Sequence, residues 1–187
     1  NVTLVDVAPM GVRRINEHGV EHNGTQYDLD VLIYATGFQW MATSTFNMIT
    51  GRGGQTLSEK WAERGTRTFL GLHSGGFPNL LIMNGPQGGG GQFNFTRVSE
   101  MHANYVVWAL EAVKARGARS IECTRVAHDA YNERLQAEMA RMVWSHPSIR
   151  HSWYRNGAGR IFILSPWRLV DYWSWTRAPD PADFALA

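Results

Sequence analysis

The sequence predicts an α/β protein, and three observations lead to that fold class. Two continuous apolar runs, at 30–38 and 77–86, are typical of strands buried on both faces of a parallel sheet. Two longer segments, 94–116 and 127–144, place apolar residues at helical spacing. Between 12 and 29, short alternating segments around an Asn-Gly pair predict an antiparallel meander. The chain has 187 residues, 44% of them hydrophobic, which is enough for a core.

The amino-terminal segments predict strands only. A β-branched run at 2–7 predicts a first strand that Pro9 stops. The segments VRRI, GVEH and TQYDL then form the meander, with Asn23 and Gly24 as a type I′ hairpin turn. The first unit of the fold is therefore expected to be a small set of strands.

The strand predicted at 30–38 ends in Ala35, Thr36 and Gly37. In open α/β sheets, ligands bind at the carboxyl ends of the strands, and glycine allows close approach of the backbone. These three residues are therefore candidates for a cofactor site. An ordinary turn from strand to loop is the alternative.

The next segments alternate helices and strands. A capping box from Thr56 to Glu59 predicts a short helix that ends at Gly65. After the strand at 77–86, the long helix is predicted to end at Gly117, and SIECT predicts a further strand. The second helix should end before Pro147, and the tail beyond it is predicted to be irregular and rich in aromatic residues.

Composition excludes several classes of function. The net charge is only +2, with no basic block, so neither a nucleic-acid nor a membrane partner is indicated. The single cysteine, Cys123, excludes an internal disulfide and is expected to be an inert core residue. The histidines lack metal-ligand spacing, so no metal site is expected. No apolar run approaches the roughly 18 residues of a membrane span, and no signal peptide is recognisable, so a cytoplasmic protein is expected.

The glycine-rich segment GPQGGGGQFNF leads into the long helix. Main-chain N–H groups at a helix start lack partners within the helix, so Gly91, Gln92, Asn94 and Phe95 are candidates for an anion site. A loop in which Asn94 serves only as N-cap is the alternative. Trp153, in the irregular tail, is either a packing residue or a ligand contact.

Several motifs occur together and in a characteristic order. They are LDVLIYATGF, GRGG at 51–54, FPNLLIMNGP and SWY at 152–154. In this order they resemble the carboxyl-terminal part of class B flavoprotein monooxygenases of the Baeyer-Villiger type. The tail, from HPSIRHSWYRNGAGRIF to DPADF, is similar to the 4-hydroxyacetophenone monooxygenase branch. The resemblance covers essentially the whole chain.

The resemblance implies a partial flavoprotein with two Rossmann-like dinucleotide-binding domains for FAD and NADPH. Residues 1–35 would be the terminal strands of the NADPH-binding domain. Residues 36–187 would be the carboxyl-terminal portion of the FAD-binding domain, with helical segments and the irregular tail. Ala35 to Phe38 would form one of the two links between the domains.

The resemblance also implies cofactor contacts. The helix start, from Gly91 to Phe95, would face the N1 and C2-carbonyl edge of the flavin. Trp153 would contact NADP near its ribose, with Arg160 close by.

The chain departs from the family in lacking a G-x-G-x-x-G phosphate loop, because none of its glycine-rich segments has that spacing. The family's fingerprint and its catalytic arginine are also expected upstream. The sequence therefore predicts a truncated chain whose partner is the missing amino-terminal half, and no residue here is assigned as catalytic.

The expected reaction uses NADPH, FAD and O2 to insert one oxygen atom into a ketone, giving an ester or lactone, and possible substrates include sulfides. Two alternatives are an N-hydroxylating or N-oxygenating flavin monooxygenase and a non-catalytic remnant or accessory domain.

Overall fold

A computed structural model describes residues 1–8, 10–37, 44–89, 94–149, 152–156 and 159–187. The chain divides into two compact units, Asn1–Phe38 and Gln39–Ala187. The sequence predicted a division after residue 35. Which cofactor each unit serves stays a prediction.

The first unit contains a three-stranded antiparallel sheet in the order β1-β2-β3. Its strands are β1 (Arg14–Asn16), β2 (Gly19–His22) and β3 (Thr25–Asp28). The turn between β2 and β3 has positive φ at Asn23 (48°) and Gly24 (77°), as a type I′ turn requires. The predicted meander is therefore confirmed.

The prediction of strands at 2–7 and 30–38 is wrong. In the described part of both segments the backbone belongs to no strand, and Val31 and Ile33 are 73% and 83% exposed. A strand that is buried on both faces needs neighbouring strands and covering helices. Among residues 1–8 and 10–37 the β1-β2-β3 sheet is the only sheet, and there is no helix.

The second unit is mainly helical. Its helices are α1 (Thr45–Met48), α2 (Leu57–Arg64), α3 (Phe95–Ala115), α4 (Arg125–Met139) and α5 (Leu169–Arg177). Short 3₁₀ turns lie at Arg52–Gly54, Val143–Ser145 and Pro181–Asp183. The unit also contains two short antiparallel strands, β4 (Ile121–Cys123) and β5 (Phe184–Leu186), in which Cys123 lies opposite Phe184.

Local signals determine where the helices begin and end. The predicted capping box opens α2, since the Thr56 hydroxyl accepts from the Glu59 N–H and the Glu59 carboxylate accepts from the Thr56 N–H. Helix α3 follows the predicted span closely and is followed by Gly117, whose φ is +60°. Helix α4 ends at Met139 rather than 144, with a 3₁₀ turn beyond it.

Two further predictions in this unit are wrong. The apolar run at 77–86 forms turns instead of a strand, because Asn79 and Asn84 adopt left-handed backbone conformations (φ 62° and 51°). The tail is not irregular throughout, since it contains α5 and β5. The predicted strand at SIECT is confirmed as β4, which pairs antiparallel with β5.

The main core of the second unit lies between α3, α4 and α5. Leu72, Tyr105, Leu135 and Tyr172 are fully buried there and share one cluster. Cys123 is buried in the same cluster, and burial raises the pKa of its thiol to about 12. This confirms the expected core cysteine. Among the described residues, no helix is long and apolar enough to cross a membrane.

A chain of hydrogen bonds links residues of this core. The Asn84 N–H donates to His102 Nδ1 (2.9 Å), so His102 Nε2 carries the proton and donates to Tyr172 Oη (2.6 Å). The Tyr172 hydroxyl then donates to the Leu70 carbonyl (2.6 Å). Burial lowers the pKa of His102 to about 4, which keeps the imidazole neutral in this chain.

Candidate functional site

The Ala35-Thr36-Gly37 segment is exposed and has no regular secondary structure. Gly37 has a φ of +83°, a conformation that other residues rarely adopt. Among the described residues other than its chain neighbours, no atom would lie within 4 Å of a Cβ placed there, so the requirement for glycine is conformational. The backbone thus turns at this point, and its role in a cofactor site stays a prediction.

The start of α3 is capped by its own asparagine. Asn94 Oδ1 accepts from the Thr96 N–H (2.9 Å) and the Arg97 N–H (3.2 Å), and its carbonyl accepts from the Val98 N–H (3.1 Å). Among the described residues, the Phe95 N–H has no hydrogen-bond acceptor. Gly91 and Gln92 lie outside the described residues. The proposed anion site therefore depends on this one donor.

Trp153 and Arg160 lie on one hairpin. The Phe162 N–H donates to the Tyr154 carbonyl (3.1 Å), and the Asn156 N–H donates to the Arg160 carbonyl (3.0 Å). Residues 157–158 lie outside the described part of the chain. The structure thus places two of the predicted NADP contacts on a single element.

Trp153 is not a core residue. Its side chain is 59% exposed and meets the edge of Tyr154 with ring centroids 6.1 Å apart. Tyr154, in contrast, is buried and packs against Trp144 at 5.5 Å. The packing role considered for Trp153 therefore has little support, and its ring is accessible to a ligand.

Arg160 is half-buried and contacts α4. Its Nη2 lies 3.5 Å from Asn132 Oδ1, and its backbone N–H donates to Asn156 Oδ1 (2.9 Å). Burial, together with the positive charge of Arg67, lowers the pKa of the Arg160 guanidinium. Arg160 therefore lies in a locally cationic region.

Two clefts adjoin at the carboxyl-terminal end of α2, and we call them the Arg67 cleft and the Arg160 cleft. The Arg67 cleft has a volume of about 310 Å³ and the Arg160 cleft about 560 Å³. They share Trp61, Glu63 and Gly65. Sequence reasoning missed Trp61 and Arg67 because neither belongs to a motif, although the helical spacing of Leu57 and Trp61 did place Trp61 on the buried face of α2.

Electrostatics in the Arg67 cleft are dominated by ion pairs on α4. Arg67 Nη2 lies 3.4 Å from Asp129 Oδ1, which also lies 3.1 Å from His128 Nδ1. The hydrogen bond from His128 lowers the pKa of Asp129, and burial lowers the pKa of His128. Among the described residues, no group of acidic, histidine or cysteine side chains could hold a metal ion.

Comparison with known proteins gives consistent results. The chain is 32% identical over 187 residues to an uncharacterized monooxygenase of Sinorhizobium fredii, covering 98% of the chain and 28% of that protein. It is 39% identical over 164 residues to a Baeyer-Villiger monooxygenase of Streptomyces coelicolor, covering 86% of the chain and 27% of that protein. The chain thus spans about a quarter of the length of these relatives. It matches no protein-family profile.

Solved structures show the same likeness. An oxidized steroid monooxygenase bound to NADP superposes with a TM-score of 0.77 at 34% identity, over 100% of this chain and 36% of that one. A complex of OTEMO with FAD and NADP superposes with a TM-score of 0.79 at 28% identity, over 100% of this chain and 35% of that one.

Proposed function

Because the chain belongs to the Baeyer-Villiger monooxygenases, we propose that it forms the carboxyl-terminal part of an FAD- and NADPH-dependent enzyme that inserts one oxygen atom of O2 into a ketone. The product would be an ester or lactone, and sulfides are further candidate substrates. The observation that carries this proposal is the likeness over the whole chain to a structure containing both FAD and NADP. The relatives named above do not favour an N-oxygenating enzyme.

The chain's residues fit supporting roles. Bound FAD would supply the oxygen chemistry. The free Phe95 N–H at the start of α3 suits a donor to the electron-rich edge of the flavin. The exposed ring of Trp153 suits contact with the nicotinamide cofactor, with Arg160 on the same hairpin. Gly37, with its positive φ, suits a link between two nucleotide-binding domains.

A chimera tests this proposal. The matching 164-residue stretch of the Streptomyces coelicolor relative is replaced by the corresponding part of this chain. We expect the chimera to hold FAD, to consume NADPH faster when a ketone is present, and to place ¹⁸O from ¹⁸O2 in an ester or lactone. The parental enzyme serves as the control.

A chimera that folds and holds FAD, but gives no oxygenated product with any ketone that the parental enzyme accepts, contradicts the proposal. NADPH consumption that yields only hydrogen peroxide counts against it in the same way.

A further inference from the structure

The adjoining clefts contain hydrogen-bond donors that lack acceptors. Trp61 Nε1, Arg67 Nε and Arg160 Nε are buried and have no partner within the described part of the chain. Trp61 is only 4% exposed and lines both clefts. These three groups donate, whereas His128 Nε2 in the Arg67 cleft is the one buried acceptor without a partner in the same part of the chain, so unpaired donors outnumber unpaired acceptors three to one.

Helix α4 holds the two guanidinium groups near each other. Arg67 Nη2 lies 3.4 Å from Asp129 Oδ1, and Arg160 Nη2 lies 3.5 Å from Asn132 Oδ1. Positions three apart lie on one helix face, with Cβ atoms about 5–6 Å from each other. The two positive side chains are therefore neighbours, which is unfavourable for partly buried cations without a counter-ion.

The nearby carboxylates do not balance these charges. Asp129 is shared between Arg67, Arg125 (3.6 Å) and His128. Within the described part of the chain, the hydrogen-bond acceptor found for the Arg160 guanidinium is an amide oxygen, Asn132 Oδ1. An additional negative charge would therefore be stabilised beside Arg160.

Two glutamates also line the clefts, and both are engaged elsewhere. Glu122 pairs with Arg52 (3.0 Å) and accepts from the Gly76 N–H. Glu63 lines both clefts, but it is exposed and accepts from Gln55 Nε2 (2.8 Å). Lys60 adds a further cation to the Arg67 cleft.

The backbone positions Arg160 in advance of any ligand. Gly65 has a φ of +75°, and a side chain there would lie 3.2 Å from Asn156 Nδ2 and 3.7 Å from Arg160 Cδ. Glycine therefore leaves room for the stem of Arg160. The Arg160 carbonyl accepts from the Asn156 N–H and the Arg160 N–H donates to Asn156 Oδ1, which holds the main chain of Arg160 in place.

We propose that Trp61, Arg67 and Arg160 form a binding site for a phosphate-like oxyanion where the two clefts meet. Such an anion offers several acceptors and a negative charge, and the guanidinium fork matches its geometry. The oxyanion would be either free phosphate or a phosphate group of the nicotinamide cofactor. The site goes beyond the oxygenation proposed above and does not depend on bound flavin.

Inorganic phosphate is the probe. In ¹H–¹⁵N spectra of the 187-residue chain, the Trp61 indole signal and the Nε–H signals of Arg67 and Arg160 should shift together and saturate as phosphate is added at constant ionic strength. Arg160→Gln should weaken the fitted affinity about tenfold or more, because it removes a charge-assisted contact. Arg119→Gln is the matched control, since Arg119 is an exposed arginine of the same unit. It should leave the affinity unchanged.

A second variant tests the site independently, in case Arg160→Gln does not fold. Trp61→Phe keeps a buried aromatic ring but removes the N–H, so it should also weaken phosphate binding if the chain folds. The proposal is overturned if phosphate shifts these N–H signals no more than sodium chloride does, or if Arg119→Gln weakens phosphate binding as much as Arg160→Gln does. Competition by NADP⁺ would assign the oxyanion to the cofactor, and saturable binding without competition would assign it to free phosphate.

Discussion

The two units of the chain contain similar apolar segments but bury them very differently. In Asn1–Phe38, Val31 and Ile33 are largely exposed, whereas in Gln39–Ala187 Leu72 and Leu164 are buried. Leu72 shares a cluster with side chains of α3 and α4, while the described residues of the first unit include no helix that could cover its apolar side chains. Burial is thus determined by the elements that cover a segment, not by its hydrophobicity alone.

The largest expected effect concerns the cofactor. Neither unit contains a G-x-G-x-x-G phosphate loop, so neither should hold FAD unaided. The 187-residue chain should be colourless after gel filtration, judged by its visible flavin absorbance. Stoichiometric flavin would show that one of the units binds FAD without a G-x-G-x-x-G loop.

The next effect is a pH dependence of the free energy of unfolding, and it is confined to the second unit. Burial lowers the pKa of His73 and His102 to about 4, below the ordinary value of 6.5. Between about pH 4 and pH 6.5, the two imidazoles therefore bind a proton in the unfolded chain but not in the folded one. The free energy of unfolding should therefore fall as the pH drops from about 6.5 towards 4, by about 3 kcal/mol for each histidine.

Urea unfolding followed by tryptophan fluorescence measures this, since every tryptophan lies in the second unit. A His73→Gln variant, in which only His102 of this pair titrates, should lose about half of the dependence. Stability that does not change over this range would mean that the imidazoles are hydrated.

Alanine substitutions compare the units directly. Leu135→Ala should lower the free energy of unfolding by about 2–5 kcal/mol, because Leu135 is fully buried. Ile33→Ala should change it by less than about 0.5 kcal/mol, because Ile33 is exposed. Urea unfolding followed by circular dichroism measures both. An equal loss in the free energy of unfolding for the two variants would show that the first unit buries its apolar run in solution.

The start of α3 provides the next comparison. In the chimera, Phe95→Pro removes the first-turn N–H that has no acceptor within the described ranges, at a position where helices tolerate proline. A hydrogen bond to a charged group is worth roughly 1.5–3 kcal/mol, so the flavin midpoint should fall by roughly 30–65 mV. Dye-coupled titration measures the midpoint.

Phe95→Ala is the control for this variant, since it removes the same side chain but keeps the N–H. If both variants have the same midpoint in well-folded protein, the helix start does not face the flavin.

The smallest effect concerns an exposed residue of the second unit. Trp153→Ala in the chimera should raise the KM for NADPH about ten- to a hundredfold, because a lost aromatic contact costs about 1–3 kcal/mol. FAD content should not change. Trp173→Ala, which removes an exposed tryptophan of α5, is the control. A lower melting temperature with unchanged NADPH kinetics would show that Trp153 serves packing instead.

Sequence reasoning succeeded where the signal is local. The Asn-Gly turn, the capping box of α2 and the periodicity of α3 each act within a few residues, and all three are present. It failed at 30–38, because an apolar run does not specify which elements will cover it, and at 77–86, where Asn79 and Asn84 adopt left-handed conformations that break a strand. Trp61 and Arg67 were missed as site residues because neither belongs to a motif. The two clefts around them are formed by residues from distant parts of the chain, such as Glu122 in the Arg67 cleft and Arg160 in the Arg160 cleft.

The pairing of β4 with β5 also constrains the timing of folding. Cys123 lies opposite Phe184, and the N–H groups of Arg119 and Ser120 donate to the Ala187 carbonyl (2.6 and 2.8 Å). Contacts between residues so far apart in sequence form slowly, because a long loop must close first. During synthesis, α3 and α4 leave the ribosome before β5 exists. The main core therefore stays open on the side of Phe184 until residues 184–187 emerge, and over that interval chaperones have access to it.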